Sequence, residues 1–372
     1  MTSGAPVRQR DASVAGAAVA SHALLLAPSR GLGGGIERYV QTVQAAFADR
    51  EVPCRRVDQA RPGPIGQRAL LTAAAGALSG SAPPTRVIVA HPALLPVAAL
   101  LARKFPVRGI SVICHGSDVW GRRTRPRRLI ESRLMRREDV RVVAVSSFTA
   151  GALFPGAQAT ILPPGLSRVW FAELASAAAA GRPRRTALEL TTAFRLADWR
   201  DKGLPQLIAA VATLRQADMR PPDLRLTVCG SGTPPADLVA HVSGVSWCTL
   251  RPGLTDKELA AQLAWSDLFV LATRTRSGRL PCGEGFGLVL LEAQVAGTAV
   301  IGPAHGGSPD AYLDGVSGTT PGDESVAALA RAIDDLVRHP DLLHGMGKRG
   351  AEWARERFAP DRYAALAVDR LL

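Results

Sequence analysis

Two carboxylates set in a run of glycines are the first residues with chemical promise. Glu284-Gly285-Phe286-Gly287-Leu288-Val289-Leu290-Leu291-Glu292-Ala293 follows a Pro/Cys/Gly loop and reads as the opening of a helix. Glycines there leave backbone N–H groups uncovered, and with the helix dipole they make a ready anion site. Glu284 falls in the loop and Glu292 two turns into the helix. One carboxylate can therefore reach one end of a ligand while the other reaches its middle. The competing reading is an N-capping Glu followed by a solvated helical one. A second pair is cationic. Arg195 ends an expected strand, and Lys202 precedes Gly203 at the start of a helix. Both could converge on a diphosphate, Arg as a planar fork and Lys as a point charge; taken alone they read equally well as surface charge.

Three further stretches sit where strands should end. Cys114-His115-Gly116-Ser117-Asp118 places His115 at a strand end, facing a cleft. His22, His91, His241, His339 and His344 have no such context, and His305 before a glycine turn reads either way. Gly31-Leu32-Gly33-Gly34-Gly35-Ile36-Glu37 lies between a strand and a helix, where backbone can approach a phosphate. A dinucleotide fingerprint competes for this loop, with Gly31 and Gly33 in place and Asp58 after the next strand, but Ile36 stands at the third glycine position. Gly302–Asp310 (GPAHGGSPD), followed by Asp314-Gly315, is another glycine loop after a strand.

The elements that must position these residues alternate as short apolar runs and helical patterns, the signature of parallel βα units. Strands are expected at Ala23–Ala27, Val52–Val57, Val87–Ala90, Ile110–Cys114, Val142–Val145 and Thr160–Leu162. Trp170–Pro183 changes in composition and reads as a connector. A second series follows: Leu188–Phe194, a helix Pro205–Arg215, then Leu224–Cys229, Trp247–Leu250, Leu268–Leu271 and Ala299–Ile301. The end is helical over Val326–Val337, Leu342–Arg357 and Arg362–Leu371. This predicts an α/β protein of two doubly wound, Rossmann-like domains facing a cleft, with ligands outside the carboxyl ends of the strands. The expected division is a flexible arm over 1–20, an acceptor domain over 21–170, a linker over 171–185, a donor domain over 186–355, and a C-terminal helix over 356–372 that packs back on the first domain.

Composition narrows the classes. The chain has 372 residues, 47% hydrophobic, enough for two real cores and too apolar for a disordered chain. Aromatics are 5%, which argues against a single-strand nucleic-acid platform. No run of eighteen apolar residues is present, so no transmembrane helix is expected. The five cysteines are scattered, with no C-x-x-C, against a disulfide framework or a structural zinc site. Residues 8–27 superficially resemble a signal peptide, but cleavage there would destroy the first strand. A cytoplasmic protein is expected.

Taken together, these motifs resemble the GT-B glycosyltransferases, specifically the retaining family 4 (group 1) type. The frame EGFG-x-x-x-LEA with its E-x7-E spacing is matched by Glu284 and Glu292. The glycine loop with Glu37, His115, Val145–Ala150 (VSSFTA), Pro163–Gly165 (PPG), Arg195 with Lys202, Gly230–Gly232 (GSG) and Gly306–Asp310 (GGSPD) fit around it. The resemblance spans about residues 22–370. It implies retaining, metal-independent transfer of a sugar from a UDP or GDP donor to a hydroxyl acceptor, with the nucleotide sugar as co-substrate and no resident cofactor. By resemblance Glu292 holds the ribose, Glu284 the donor sugar hydroxyls, and Arg195 and Lys202 the leaving diphosphate. Amides of Gly285, Phe286, Gly287 and Leu288 meet sugar and phosphate, His115 meets the sugar from the other domain, and Gly34 and Gly35 admit phosphate and acceptor. Departures exist: Arg200 competes with Lys202, PPG replaces a more usual Asn-containing version, and Asp310 stands for Glu. An NAD(P)-dependent oxidoreductase and a non-catalytic nucleotide-sugar-binding protein are the alternatives. Secondary-metabolite and cell-envelope acceptors both stay open.

The net charge is +13, and only four of the 45 basic residues are Lys. Eight arginines crowd Arg122–Arg137. This segment is a candidate for weak contact with an anionic membrane at its inner face, with a solvated helix near the cleft as the alternative. Nucleic-acid binding has no motif support.

Overall fold

The computed structural model describes residues 22–28, 34–79, 85–120, 125–181, 186–216, 223–276 and 282–372. The arm, Gly31, Gly33, Arg122 and Arg123 lie outside them.

Two six-stranded sheets carry the fold, and every pairing between their strands is parallel. The first contains β1 (His22–Ala27), β2 (Cys54–Asp58), β3 (Thr85–Val89), β4 (Val107–Cys114), β5 (Val140–Ala144) and β6 (Ala159–Ile161). The second contains β7 (Leu188–Arg195), β8 (Leu224–Ser231), β9 (Cys248–Pro252), β10 (Leu268–Val270), β11 (Ala299–Ile301) and β12 (Gly318–Thr319). Strands covered on both faces need continuous apolar runs rather than alternation; Ala23–Ala27 and Leu268–Val270 are such runs, buried throughout.

Helices of the first half are α1 (Gly35–Asp49), α2 (Gly63–Ser79), α3 (Leu95–Lys104), α4 (Ser117–Trp120), α5 (Arg125–Met135) and α6 (Ser147–Gly151). Next come α7 (Arg168–Ala179), α8 (Leu204–Arg215), α9 (Ala236–Ser243), α10 (Asp256–Trp265) and α11 (Leu288–Val295). The chain finishes with α12 (Val326–Val337), α13 (Pro340–Arg357) and α14 (Pro360–Leu371).

Strand order explains where a site must lie. The first sheet runs β2-β1-β3-β4-β5-β6 and the second β12-β11-β10-β7-β8-β9. In each, strands are added first on one side of the opening strand and then on the other: β2 and then β3 beside β1, and β8 and β9 and then β10 beside β7. The loops after those strands diverge and open a crevice at the strand carboxyl ends. The glycine loop before α1 follows β1, Arg195–Lys202 follows β7, and the segment leading to Glu284 follows β10.

The halves share a buried apolar cluster that includes Val145 and Leu166 from the first and Phe286, Leu290 and Phe358 from the second. As expected, the C-terminal helix crosses back. α14 packs on α1, Ser111 Oγ donates to the Leu371 carbonyl at 2.8 Å, and Arg141 Nη1 donates to the Asp369 carbonyl at 2.8 Å. Tyr363 occupies the space where a Cβ on Gly165 would fall, 2.4 Å from its ring, which accounts for the glycine of PPG.

The stretch read as a connector takes a different form. Most of 171–185 is α7, which starts at 168, is capped by Ser167 on the Trp170 N–H and packs against α10 and α11. Alanine, the best helix former, dominates it. The link between the sheets is thus a packed helix.

Candidate active site

The facing strand ends enclose a cavity of about 810 Å³. From the second half, Arg195, Lys202, Glu284 and Glu292 line it. So does the first turn of α11, through Gly287, Leu288 and Val289. Gly34, Gly35 and Arg38 line it from the first half, and open space surrounds both glycines.

Lys202 and Glu284 form the centre of the second-half wall. Lys202 Nζ lies 2.9 Å from Glu284 Oε2, and Thr273 Oγ1 donates to the same oxygen at 3.1 Å. Burial pushes the Glu284 carboxyl up, but the Lys202 charge and hydrogen bond, the Thr273 hydroxyl and the Gly287 N–H outweigh it and hold it below the usual range. Glu284 is therefore ionised at neutral pH and acts as an acceptor only. The backbone is shaped to bring the pair together. Gly203 is left-handed (φ 72°), and a Cβ there would sit 1.9 Å from the Ala272 carbonyl oxygen. Gly287 is also left-handed (φ 83°) and caps α11 without a side chain, leaving the first amides of that helix for a ligand.

The structure separates the rival cations. Arg195 lines the cavity, with Nε donating to Asp198 at 2.8 Å. Arg200 points to Asp237 and stacks on Trp199. Lys202 is the one of the two that meets Glu284.

Glu292 is nearly inaccessible, its side chain 4% exposed. Burial raises its carboxyl above the ordinary range and Asp256 adds to the rise, against the pull of Arg38 and Trp170. Neither partner is discernible from motif spacing.

His115 is placed differently from expectation. It lies at the end of β4, but its ring does not line the cavity. Nε2 is 2.9 Å from the Ala90 carbonyl oxygen and the ring meets Tyr39 edge-on, with centroids 5.1 Å apart. Burial lowers its basicity, with Asp118 and the Ala90 carbonyl opposing. Its backbone is what touches the glutamate frame: a Cβ on Gly285 would fall 2.0 Å from the His115 carbonyl oxygen. Gly285 and Phe286 thus serve the seam between the halves rather than lining the cavity. His91, which follows β3, does line it, and its Nδ1 accepts from the Ala93 N–H at 3.0 Å.

The same seam explains two other motifs. A Cβ on Gly307 would lie 1.9 Å from the Gly285 carbonyl oxygen and 2.4 Å from Ser146 Oγ. Asp310 accepts from Ser147 N at 2.6 Å and Ser147 Oγ at 2.7 Å. GGSPD and VSSFTA are two sides of one joint.

Comparison with known proteins decides the family. Residues 194–353 match the family model of glycosyl transferases group 1. Over 272 residues, 70% of each chain, the protein is 33% identical to a GDP-mannose-dependent alpha-(1-6)-phosphatidylinositol monomannoside mannosyltransferase of Mycolicibacterium smegmatis. This chain is a group 1 glycosyltransferase. It is also 31% identical over 288 residues, 74% of this chain and 63% of the other, to glycogen synthase of Mycobacterium tuberculosis. Sucrose-phosphate synthase from Thermosynechococcus elongatus superposes with a TM-score of 0.74 at 18% identity, covering 94% of this chain and 98% of that one. Anabaena HepE in complex with UDP and glucose superposes with a TM-score of 0.70 at 16% identity, covering 93% and 98%. These two establish the GT-B fold. The oxidoreductase alternative is displaced: Asp58 pairs with Arg56 at 2.7 Å, and the Gly31/Gly33 end of its fingerprint lies outside the described residues. No helix among the described residues is long and apolar enough to cross a membrane.

Proposed function

We propose that the enzyme moves a sugar from a nucleoside diphosphate donor to a hydroxyl acceptor with retention at the anomeric carbon. GDP-mannose is the first donor to test, on the strength of the mannosyltransferase relatives, and UDP sugars are next. The observation that carries this is the placement of Glu284 and Glu292 on one wall of the cavity, with Lys202 and the α11 N-terminus between the strand ends.

In this reading the nucleoside lies against the second half, with its ribose on Glu292. Lys202, Arg195 and the first amides of α11, at Leu288 and Val289, meet the diphosphate. Charge grows on the leaving oxygens as the glycosidic bond breaks, so preorganised cations and amides there supply the main stabilisation. These groups cover the diphosphate, so turnover without a divalent ion is part of the proposal. Ionised Glu284 accepts hydrogen bonds from donor sugar hydroxyls. The acceptor enters from the Gly34/Gly35 side, and its hydroxyl attacks from the face the diphosphate leaves. A departing phosphate oxygen takes the hydroxyl proton, so no second carboxylate on the opposite face is needed. His115 holds the wall behind the sugar through the Gly285 contact.

The basic segment supports a peripheral role at an anionic membrane. Leu129 and Ile130 are about half exposed on α5 among its arginines. Several of those arginines are engaged within the protein: Arg127 on Glu131 at 3.1 Å, Arg137 on Asp139 at 2.7 Å, and Arg136 over the Phe154 ring. Salt-sensitive sedimentation with phosphatidylglycerol vesicles tests this point.

Thermal stabilisation by GDP, UDP and their sugars, wild type beside Glu292→Ala, tests the donor site. A ligand at a hundredfold excess over Kd adds about 2.7 kcal/mol. A shift in the wild type lost in the variant supports the reading; no shift with any nucleoside diphosphate overturns it. Turnover with chelator present, and the anomeric configuration of the product by NMR, test metal independence and retention. Tight binding with no transfer to any acceptor would favour a binding protein.

A further inference from the structure

Glu292 is gripped from two other parts of the chain. Arg38 Nη1 donates to its Oε1 at 2.7 Å, and Trp170 Nε1 donates to the same oxygen at 2.9 Å. The guanidinium lies over the Trp170 ring, 5.8 Å from its centroid, so the two donors also hold one another. Arg38 stands on the first turn of α1, in the first half; Trp170 stands on α7; Glu292 is on α11. Oε2 accepts no hydrogen bond from any described residue, although Glu292 lines the cavity. The terminal torsion of a glutamate is broad and loosely held on its own. Two donors on one oxygen remove that freedom and leave the other oxygen, with its lone pairs, for a ligand. Burial disfavours the charged form of this carboxyl, and Arg38 is the cation at hand to oppose that. Asp256 Oδ1, on the exposed start of α10, lies 3.8 Å from Arg38 Nη2, so Arg38 also faces a second carboxylate whose charge opposes the ionisation of Glu292.

We propose that Arg38 and Trp170 are positioning residues for nucleoside recognition, holding Oε1 of Glu292 so that Oε2 is presented to the ribose diol of a nucleoside diphosphate. The inference rests on the donor-site assignment made above. Its consequence is that the acceptor half sets part of the donor affinity. A carboxylate on the second half is aimed by a cation on the first, and ribose recognition is complete only when the halves are together.

The test is calorimetric binding of GDP and 2′-deoxy-GDP, with UDP and 2′-deoxy-UDP in parallel, to wild type, Arg38→Met, Arg38→Lys and Trp170→Phe. Arg38 has a side chain 39% exposed, so its replacement opens no core, and circular dichroism checks folding. Wild type should favour the ribose form by roughly tenfold or more, the scale of a hydrogen bond to a charged acceptor. Arg38→Met and Trp170→Phe should reduce that preference to within about threefold, with Arg38→Lys recovering part of it. A preference unchanged in the variants, even with weaker binding overall, overturns the inference and leaves the donor site standing. Tighter GDP binding by Arg38→Met also overturns it, since Arg38 would then be occluding the site. A wild type that binds neither diphosphate overturns the donor assignment together with this inference.

Discussion

Replacing Lys202 by Met should destabilise the protein in a pH-dependent way, and the pair it forms with Glu284 sets the size of the effect. At 2.9 Å and an effective dielectric near 20, the Coulomb attraction is about 6 kcal/mol before desolvation. Most of that offsets the removal of both charges from water, since the side chains are 25% and 13% exposed. The net loss should be about 2 kcal/mol, in the range for a hydrogen bond between charged groups. For a half of this size that is roughly 4–8 °C in melting temperature. The pH dependence follows from the depressed Glu284 carboxyl. A carboxyl held low in the folded state contributes stability that is present above its unfolded value and lost as pH falls through the folded value. In Lys202→Met, burial has no cation to oppose it and the carboxyl moves up. The gap between wild type and variant should therefore be widest near pH 7 and narrow as the pH falls, closing only as the pH passes below the depressed folded value of the wild type. Melting temperatures from pH 3.5 to 8 measure this without any substrate. A gap that is constant with pH would show that Lys202 acts by packing, and would refute the electrostatic reasoning.

Two other outcomes separate neighbouring residues. Arg195→Ala should lower turnover by roughly a hundredfold, as for loss of one preorganised donor. Arg200→Ala, whose partner is the exposed Asp237, should leave turnover within about twofold because a surface ion pair contributes little; the reverse order would exchange their roles. Gly285→Ala drives a Cβ against the His115 carbonyl oxygen. It should cost about 1–3 kcal/mol, typical of overpacking, and should widen the cleft in small-angle scattering; an unchanged melting temperature would show that the seam is not tight.

What could be read from the chain alone depended on how local the signal was. The strands are legible because parallel strands covered on both faces are short apolar runs: Ala23–Ala27 and Leu268–Leu271 can be bounded to within a residue or so. The glutamate frame and Lys202 were legible because their spacing is local and they flank glycines with a backbone reason to exist. α7 was not, since AELASAAAA carries little amphipathic pattern and its packing partners come almost a hundred residues later. His91 was passed over although the reasoning applied to His115 covered it too, because it also follows a buried strand. Arg38 and Trp170 could not be found at all: nothing in a single sequence ties an arginine on the first helix to a glutamate 254 positions away.

The return of α14 onto α1 has a consequence for how the protein is made. The first half is synthesised early, but part of its surface is completed late. The face of α1 that meets α14, and the Ser111 hydroxyl that donates to the Leu371 carbonyl, have no native cover until the residues from Pro360 onward have left the ribosome. The whole second half is translated in between. A nascent chain that pauses there presents an early-folded half with an unsealed apolar edge, open to chaperones and to sister chains.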